Sequence, residues 1–160
     1  MLGKKTIAIV GATEIKGMEI AFLFTENGYR LLLISNNTEK LSHLSESITA
    51  GSPNTEIDTL ECVKDGCWEA DVIILAVTCS EEYLVAGLIK EVATQKIVVS
   101  VSNERNLHED LQQILPYSRL VKIIFIPDSK EIIIKGNDEE ANEEISEIFK
   151  HAGYSSTISN

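Results

Sequence analysis

The chain contains 160 residues, of which 44% are hydrophobic and 24% are charged, and these values are typical of a globular protein that buries a core. Its 25 acidic and 14 basic side chains give a formal net charge of -11, and the basic residues form no long run. We therefore expect neither nucleic acid nor an anionic membrane as a partner, because both attract clustered basic side chains.

The apolar runs, the N-terminus and the cysteines indicate the cellular compartment of the protein. The run Val72–Val77 is far shorter than the roughly 20 residues that span a bilayer. The Lys4–Lys5 pair leads into a strand-like segment, and this N-terminus does not have the pattern of a secretory signal. The cysteines Cys62, Cys67 and Cys79 are odd in number and form no CxxC motif. We expect small buried thiols in a reducing compartment, the cytoplasm, and no disulfide framework.

Short apolar runs alternate with amphipathic stretches almost to the end of the chain, which is typical of parallel strands covered by helices on both faces. Gly28 is expected as a left-handed cap after the first helix, and Thr38 as the N-cap of a second helix that buries Leu41, Leu44 and Ile48. The weakly alternating third strand suits an edge of the sheet. The predicted order is strand Thr6–Val10, helix Gly17–Asn27, strand Tyr29–Ile34, a helix from Thr38, strand Glu56–Cys62 and strand Val72–Val77.

An antiparallel extension is predicted near the C-terminus. Strand Leu120–Ile126 leads through Pro127–Lys130, a tight connection, into strand Glu131–Lys135. The last helix is expected to begin with Asn137 as N-cap and Glu140 as its capping-box partner. The remaining predicted elements are helix Tyr83–Ala93 with Leu84, Leu88, Ile89 and Val92 facing inward, strand Lys96–Val101, a helix near Leu107–Leu115, and a final strand Tyr154–Ile158 after Gly153.

These elements predict one domain over residues 1–160, with no second substrate domain. Its fold class is α/β: a three-layer, Rossmann-type NAD(P)-binding fold with a mostly parallel sheet and a C-terminal antiparallel extension.

The segment between the first strand and the first helix has the composition of a phosphate-binding turn. Gly11 permits a sharp turn, Gly17 permits close packing of helix on strand, and backbone N–H groups at the helix start can bind a pyrophosphate. The spacing is GxxxxxG, and Glu14 stands where a GxxGxxG variant has its middle glycine. A carboxylate about 4 Å from a phosphate, at an effective dielectric near 20, costs up to about 4 kcal/mol. The turn predicts the fold and leaves open whether it still binds a dinucleotide tightly.

The end of the second strand bears on the choice of dinucleotide. In this fold an Asp or Glu about 20 residues past the turn binds the ribose hydroxyls of NAD. Here the segment reads Ser35-Asn36-Asn37-Thr38-Glu39-Lys40, with no acid at the strand end. Ser35, Asn36, Thr38 and Lys40 could donate to a 2′-phosphate, which favours NADP over NAD. The same residues also suit a turn and a helix cap.

Several segments, in this order, resemble the NADP oxidoreductases that use the deazaflavin coenzyme F420, and their relatives the pyrroline-carboxylate reductases and metalloreductase domains. The similar segments are Ile7–Gly17, Ile34–Lys40, Glu69–Val77, Lys96–Asn103 and Gly136–Ala141. The resemblance implies an NADP cofactor and a pocket formed by Gly11, Thr13, Glu14, Ile15, Ser35, Asn36, Lys40, Ala76 and Val77. This chain departs from the family at Glu14, at Asn36, where a basic residue is expected, and at Thr78, where a proline is usual.

Three functional hypotheses follow. The first is an oxidoreductase domain that transfers hydride between NADP(H) and a flavin-like or small carbonyl or imine acceptor. The second is a non-catalytic module that senses a nucleotide or binds another protein, and the third is a half-enzyme completed by a homodimer or a partner subunit. No catalytic residue or metal site is identified, although Cys79 is expected at the pocket mouth. The substrate half of the site would come from segment Asn103–Pro127 or from a partner subunit, or it would be absent.

Overall fold

The computed structural model describes residues 4–101 and 108–159, and the side chains of all of these except 108–110. The described elements are β1 (Thr6–Val10), α1 (Ile15–Leu23), β2 (Arg30–Ile34), α2 (Thr38–Gly51), β3 (Glu56–Leu60), α3 (Val63–Glu69), β4 (Val72–Leu75), α4 (Cys79–Ile89), β5 (Ile97–Ser100), α5 (His108–Ile114), β6 (Arg119–Phe125), β7 (Glu131–Lys135), α6 (Glu139–His151) and β8 (Ser155–Ser159). Among these helices none is long and apolar enough to cross a lipid bilayer. The predicted helix start at Leu107 lies outside the described residues. So do Ser102 and Asn103, the last two residues of the segment Lys96–Asn103 that resembles the family.

The described strands form one sheet in the order β3-β2-β1-β4-β5-β6-β7-β8. Strands β1 to β6 are all parallel to one another, β7 is antiparallel to β6, and β8 is parallel to β7. This confirms the predicted Rossmann-type α/β fold with its antiparallel extension, and the edge position of the third strand. The chain order reverses on either side of β1, where β2 and β4 are its neighbours. Ligands of such sheets bind outside the carboxyl ends of the strands at this point.

The sheet is a middle layer between two sets of helices. Every residue of β1, β4 and β5 is buried, as expected for parallel strands covered on both faces. Helices α1, α2 and α6 pack on one face, and α3, α4 and α5 pack on the other. The predicted buried stripe of α2, which consists of Leu41, Leu44 and Ile48, is confirmed.

The C-terminal extension follows the turn residues in the sequence. Strands β6 and β7 form the predicted hairpin, and Asp128 in their connection has a left-handed φ of 58°. Gly153, with a φ of 92°, ends α6 as predicted. Its N–H donates to the carbonyl of Lys150 at 3.0 Å, and the Tyr154 N–H donates to the carbonyl of Phe149 at 2.9 Å. This pair of bonds is the Schellman arrangement, for which a glycine is favoured.

The first helix is shifted relative to its prediction. It begins at Ile15, two residues before Gly17, and its C-cap is Phe24. Gly28 does have a left-handed φ, 81°, but it lies in the turn beyond that cap. The prediction of Gly28 as the helix cap is therefore wrong, because the helix ends several residues earlier than its apolar pattern suggests.

Two predicted N-caps are wrong by one residue. Asn37 rather than Thr38 caps α2, and its side chain accepts a hydrogen bond from the N–H of the third helical residue at 3.1 Å. Asp138 rather than Asn137 caps α6, with a corresponding bond of 3.0 Å. The capping box predicted with Glu140 is consequently also wrong. In both segments two adjacent residues are good caps, and composition alone does not choose between them.

Helix α3 lies between β3 and β4, where the sequence predicts no helix. It packs closely at Gly66, where a Cβ would lie 2.4 Å from Cδ1 of Ile34. Cys67 is buried, and this burial raises the pKa of its thiol to about 12. Cys62 is exposed, which corrects the expectation that all three thiols are buried. Trp68 is 68% exposed on the outer surface of this helix.

The buried face of α4 differs from its prediction. Leu84 and Leu88, predicted to face inward, are 70% and 60% exposed. Ile89 is buried as predicted, and Val85 and Ala86 face the core with it. The helix begins at Cys79, with Thr78 as its N-cap, four residues before the predicted start. Its inner face also contains Glu82, a charged residue that is only 2% exposed. Because Glu82 lies among the apolar residues of the buried face, the spacing of hydrophobic residues in the sequence does not identify that face.

Gly17 allows helix α1 to lie directly on the turn that precedes it. A Cβ at this position would lie 2.0 Å from the carbonyl oxygen of Gly11 and 2.8 Å from its carbonyl carbon. Both are backbone atoms, which cannot move away as the end of a flexible side chain can. The close packing expected at Gly17 is therefore present, but it is made against the turn that follows β1 and not against the strand itself.

We predict that Gly17→Ala lowers the free energy of unfolding by about 3 kcal/mol or more, because the new methyl group collides with backbone. The control is Gly87→Ala in the exposed interior of α4, where an added Cβ has no neighbour within 4 Å. This control should raise the free energy of unfolding by about 0.5–1 kcal/mol through helix propensity. Urea unfolding of both variants measures the difference, and equal effects would contradict the proposed contact.

Candidate functional site

A cleft of about 220 Å³ opens at the carboxyl ends of β1, β2 and β3. Five of the nine residues predicted to bind a cofactor line it: Gly11, Glu14, Ser35, Asn36 and Val77. The other described lining residues are Val10, Ile34, Glu61, Val63 and Glu81. The cleft therefore lies where the strand order reverses, which is the position that ligands occupy in sheets of this kind.

Gly11 brings the first turn into contact with the end of β4. Its φ is 84°, and a Cβ there would lie 2.5 Å from the carbonyl oxygen of Ala76 and 2.7 Å from Cγ1 of Val77. The Ala76 N–H also donates to the carbonyl of Val10 at 2.9 Å. Ala76 is thus a buried support behind the turn, and Val77 forms the wall of the cleft beside it.

The backbone N–H groups of the turn divide into two sets. Those of Gly11 and Ala12 both donate to the carbonyl of Ile34 at 3.1 Å, and that of Glu14 donates to the carbonyl of Gly11 at 3.0 Å. These three hold the turn in shape. The next three, at residues 15–17, are the first of α1 and have no carbonyl within the helix to bind. They form the end of a helix dipole and can bind an anion.

Glu14 has a backbone conformation that does not require glycine. Its φ and ψ are -75° and 158°, an extended geometry, and its side chain makes no capping hydrogen bond to α1. The side chain is exposed and lines the cleft. The middle glycine of the common motif is therefore replaced here without backbone strain, and the consequence of the replacement is electrostatic.

A pair of hydroxyl groups joins the turn to the end of β2. The Thr13 and Ser35 side-chain oxygens are 2.6 Å apart, and Ser35 Oγ also accepts the N–H of Asn37 at 3.1 Å. One hydroxyl proton is used between the two side chains. The other remains to donate to a ligand, whichever of the two residues carries it.

Two other predicted residues lie outside the cleft. Ile15 is 76% exposed at the start of α1, and Lys40 is exposed on α2. The Lys40 N–H is used in the α2 cap, where it donates to Asn37 Oδ1. Lys40 therefore contributes no lining group to the cleft as it stands in the structure.

The sequence interpretation missed two carboxylates of this cleft. Glu61 follows the last residue of β3, and Glu81 lies in the first turn of α4. With Glu14 they place three acidic side chains around the cleft, and the described lining includes no Lys or Arg. Only the pairing of β3 beside β2 and the true start of α4 bring these residues to the site, and neither can be inferred from local composition.

A buried polar pair lies on the carboxyl edge outside the cleft. At the end of β5 the Ser100 hydroxyl donates to the carboxylate of Glu82, and both residues are buried. Cys79 is 8% exposed and does not line the cleft, which corrects its expected place at the pocket mouth. Over the part of the chain that the structure describes, no group of three His, Cys, Asp or Glu side chains could hold a metal ion.

The family model described as NADP oxidoreductase coenzyme F420-dependent matches residues 6–104 of this chain. That range contains β1 to β5 and all nine residues that the cofactor prediction names. No curated protein sequence matches the chain.

Solved structures share the architecture at low sequence identity. A pyrroline-5-carboxylate reductase from Coxiella burnetii superimposes with a TM-score of 0.78 and 18% identity, over 99% of this chain and 60% of that one. A candidate F420-dependent NADP reductase from Arthrobacter gives 0.73 and 16%, over 98% and 84%. A Plasmodium falciparum pyrroline carboxylate reductase with NADP bound gives 0.65 and 14%, over 98% and 57%. These similarities show a common fold, and the chain spans little more than half of the two pyrroline reductases.

We predict that Glu14→Gly and Glu14→Gln each tighten binding of NADPH by about tenfold, because a carboxylate is removed from beside the anion-binding amides. Glutamine keeps the size of the side chain, so equal gains would assign the effect to charge. Isothermal titration calorimetry measures both. An unchanged or weaker affinity in the two variants would show that the carboxylate does not hinder the anion.

Proposed function

The chain belongs to the family of coenzyme F420-dependent NADP oxidoreductases, and we propose that it binds a nicotinamide dinucleotide along the carboxyl edge of the sheet. Its reaction would be hydride transfer between that dinucleotide and a flavin-like or small carbonyl or imine acceptor. The observation that supports this most directly is the start of α1, where three backbone N–H groups without helical acceptors lie beside a close-packed glycine turn.

The residues present fit a dinucleotide in part. The pyrophosphate would bind the N–H groups of residues 15–17, and the hydroxyl pair of Thr13 and Ser35 would donate one further hydrogen bond. The cleft of about 220 Å³ is smaller than the roughly 300–1,000 Å³ typical of ligand sites. We therefore place only one portion of the dinucleotide in it, with the remainder along the open edge past Val77 toward the end of β5.

NADP is the form of the dinucleotide that the family description names, and the P. falciparum reductase was solved with NADP bound. In this chain Asn36 lines the cleft at the end of β2, and its amide could donate to a 2′-phosphate. The predicted cofactor residues Gly11, Thr13, Ser35, Asn36 and Val77 are thus proposed as the contacts, with Ala76 as a support behind them.

The bound dinucleotide supplies the hydride, so the chain needs mainly to bind and orient it. Gly11 and Gly17 fix the turn. Val77 lines the cleft and would limit the position of the nicotinamide ring. The acceptor would lie beyond the described cleft. We propose that residues 103–127, a second copy of the chain or another subunit completes that half of the site.

We also propose that residues 1–160 act as one dinucleotide-binding domain, because every described strand joins the same sheet. None of the three cysteines forms a disulfide, which suits the reducing cytoplasm. A homodimer or a partner subunit would then be required for turnover if the acceptor site is not within this domain.

A non-catalytic module that senses a nucleotide or binds another protein is the second candidate function. One observation favours it: Glu14, Glu61 and Glu81 surround the cleft with no lining Lys or Arg among the described residues. Such a lining weakens binding of a phosphorylated ligand. A domain with this lining would keep the Rossmann-type fold and bind a dinucleotide only weakly.

We predict that calorimetric titration of the wild-type chain detects NADH or NADPH with a dissociation constant in the micromolar range. Calorimetry is preferred to Trp68 fluorescence, because Trp68 is exposed on α3 and does not line the cleft. FAD is the control, since its isoalloxazine replaces the nicotinamide. Absence of binding by either dinucleotide at millimolar concentration would remove the proposed function.

Oxidation of the bound dinucleotide, followed at its near-ultraviolet absorbance band, then separates the two candidates. Turnover with coenzyme F420, a free flavin or a cyclic imine supports the oxidoreductase. Binding without turnover by any of these acceptors supports the sensing module.

A further inference from the structure

We infer that Glu61 binds the adenosine ribose hydroxyls and disfavours a 2′-phosphate, so that this chain prefers NAD(H) to NADP(H). The inference rests on the proposed function, because it concerns the same dinucleotide cleft. It differs from what the family description names and from the expectation drawn from the end of the second strand alone.

The position of Glu61 follows from the pairing of two parallel strands. Ile34 lies opposite Leu60 in the register of β2 and β3, and the Ser35 N–H donates to the carbonyl of Leu60 at 3.2 Å. Glu61 is the next residue, so it stands beside Ser35 at the carboxyl edge. Both side chains line the cleft together with Asn36.

This placement supplies an acid that β2 itself lacks. Sheets of this class bind the ribose of NAD through a carboxylate that follows the second strand. Here the residues at that point are Ser35, Asn36 and Asn37, and the neighbouring strand ends in Glu61 instead. A carboxylate accepts hydrogen bonds from the 2′- and 3′-hydroxyl groups of an unmodified ribose, and it donates none to a phosphate.

The charges that face Glu61 do not reverse this preference. Glu14 and Glu81 line the same cleft and add negative charge, and the described lining contains no basic side chain. Lys64, on the adjacent helix α3, has its ammonium group 3.3 Å from the carboxylate of Glu91. Lys40 is exposed on α2 and lies outside the lining. A 2′-phosphate would therefore enter a site in which nearby carboxylates are not balanced by cations.

The test compares the affinities of NADH and NADPH in three proteins by calorimetry. Wild type should bind NADH about tenfold or more tightly than NADPH, which is the ratio expected when one carboxylate opposes a phosphate near the protein surface. In Glu61→Gln the preference for NADH over NADPH should fall to about threefold or less, because NADH binds more weakly and NADPH more tightly. Glu56→Gln is the matched control, because Glu56 is exposed at the opposite end of β3 and does not line the cleft.

Two further probes separate this inference from the proposed function. ADP-ribose and 2′-phospho-ADP-ribose differ by the same 2′-phosphate and lack the nicotinamide ring. Wild type should prefer ADP-ribose, and Glu61→Gln should reduce this preference as it does that for NADH. Wild type that binds NADPH as tightly as NADH, or a ratio that Glu61→Gln leaves unchanged, would overturn the inference while dinucleotide binding stands. If neither dinucleotide binds, the proposed function fails and the inference fails with it. Thermal melting of Glu61→Gln alongside Glu56→Gln checks that the fold is retained.

Discussion

The backbone of helix α1 lies directly on the turn before it, and this contact determines the geometry of the whole carboxyl edge. A side chain at residue 17 would collide with the Gly11 carbonyl, and a side chain at Gly11 would collide with Ala76 at the end of β4. Strand β1, the turn, the helix start and β4 are thus held in backbone contact. The amides of residues 15–17 come to lie at the reversal of strand order because nothing larger than hydrogen separates these segments.

Electrostatics at this edge act in two directions. The start of α1 attracts an anion through its backbone amides and dipole, whereas three glutamates around the adjacent cleft oppose one. The turn keeps its shape whether or not an anion is bound, since it is held by backbone hydrogen bonds to the carbonyl groups of Ile34 and Gly11. The family relationship and the low-identity structural neighbours fit this picture: architecture is shared, and the choice of ligand depends on the few side chains at the rim.

Much of the fold could be predicted from the sequence, because the buried parallel strands are short apolar runs and the C-terminal hairpin has clear turn residues. The glycine turn and the residues at the end of β2 were also identifiable from spacing. The inward face of α4 was not, since its N-cap at Thr78 and the buried Glu82 shift and interrupt the apolar stripe. Glu61 joins the cleft only through the pairing of β3 with β2, a tertiary relation that no local pattern contains.

The account depends on an anion-binding group of amides at the start of α1, and amide NMR of the labelled chain tests it most directly. Addition of NADH should shift the N–H signals of Ile15, Lys16 and Gly17 more than any others outside the cleft. Gly51 and Gly87, which lie on α2 and α4 away from the turn, should not move. Binding that leaves the three signals at residues 15–17 unchanged would contradict the account.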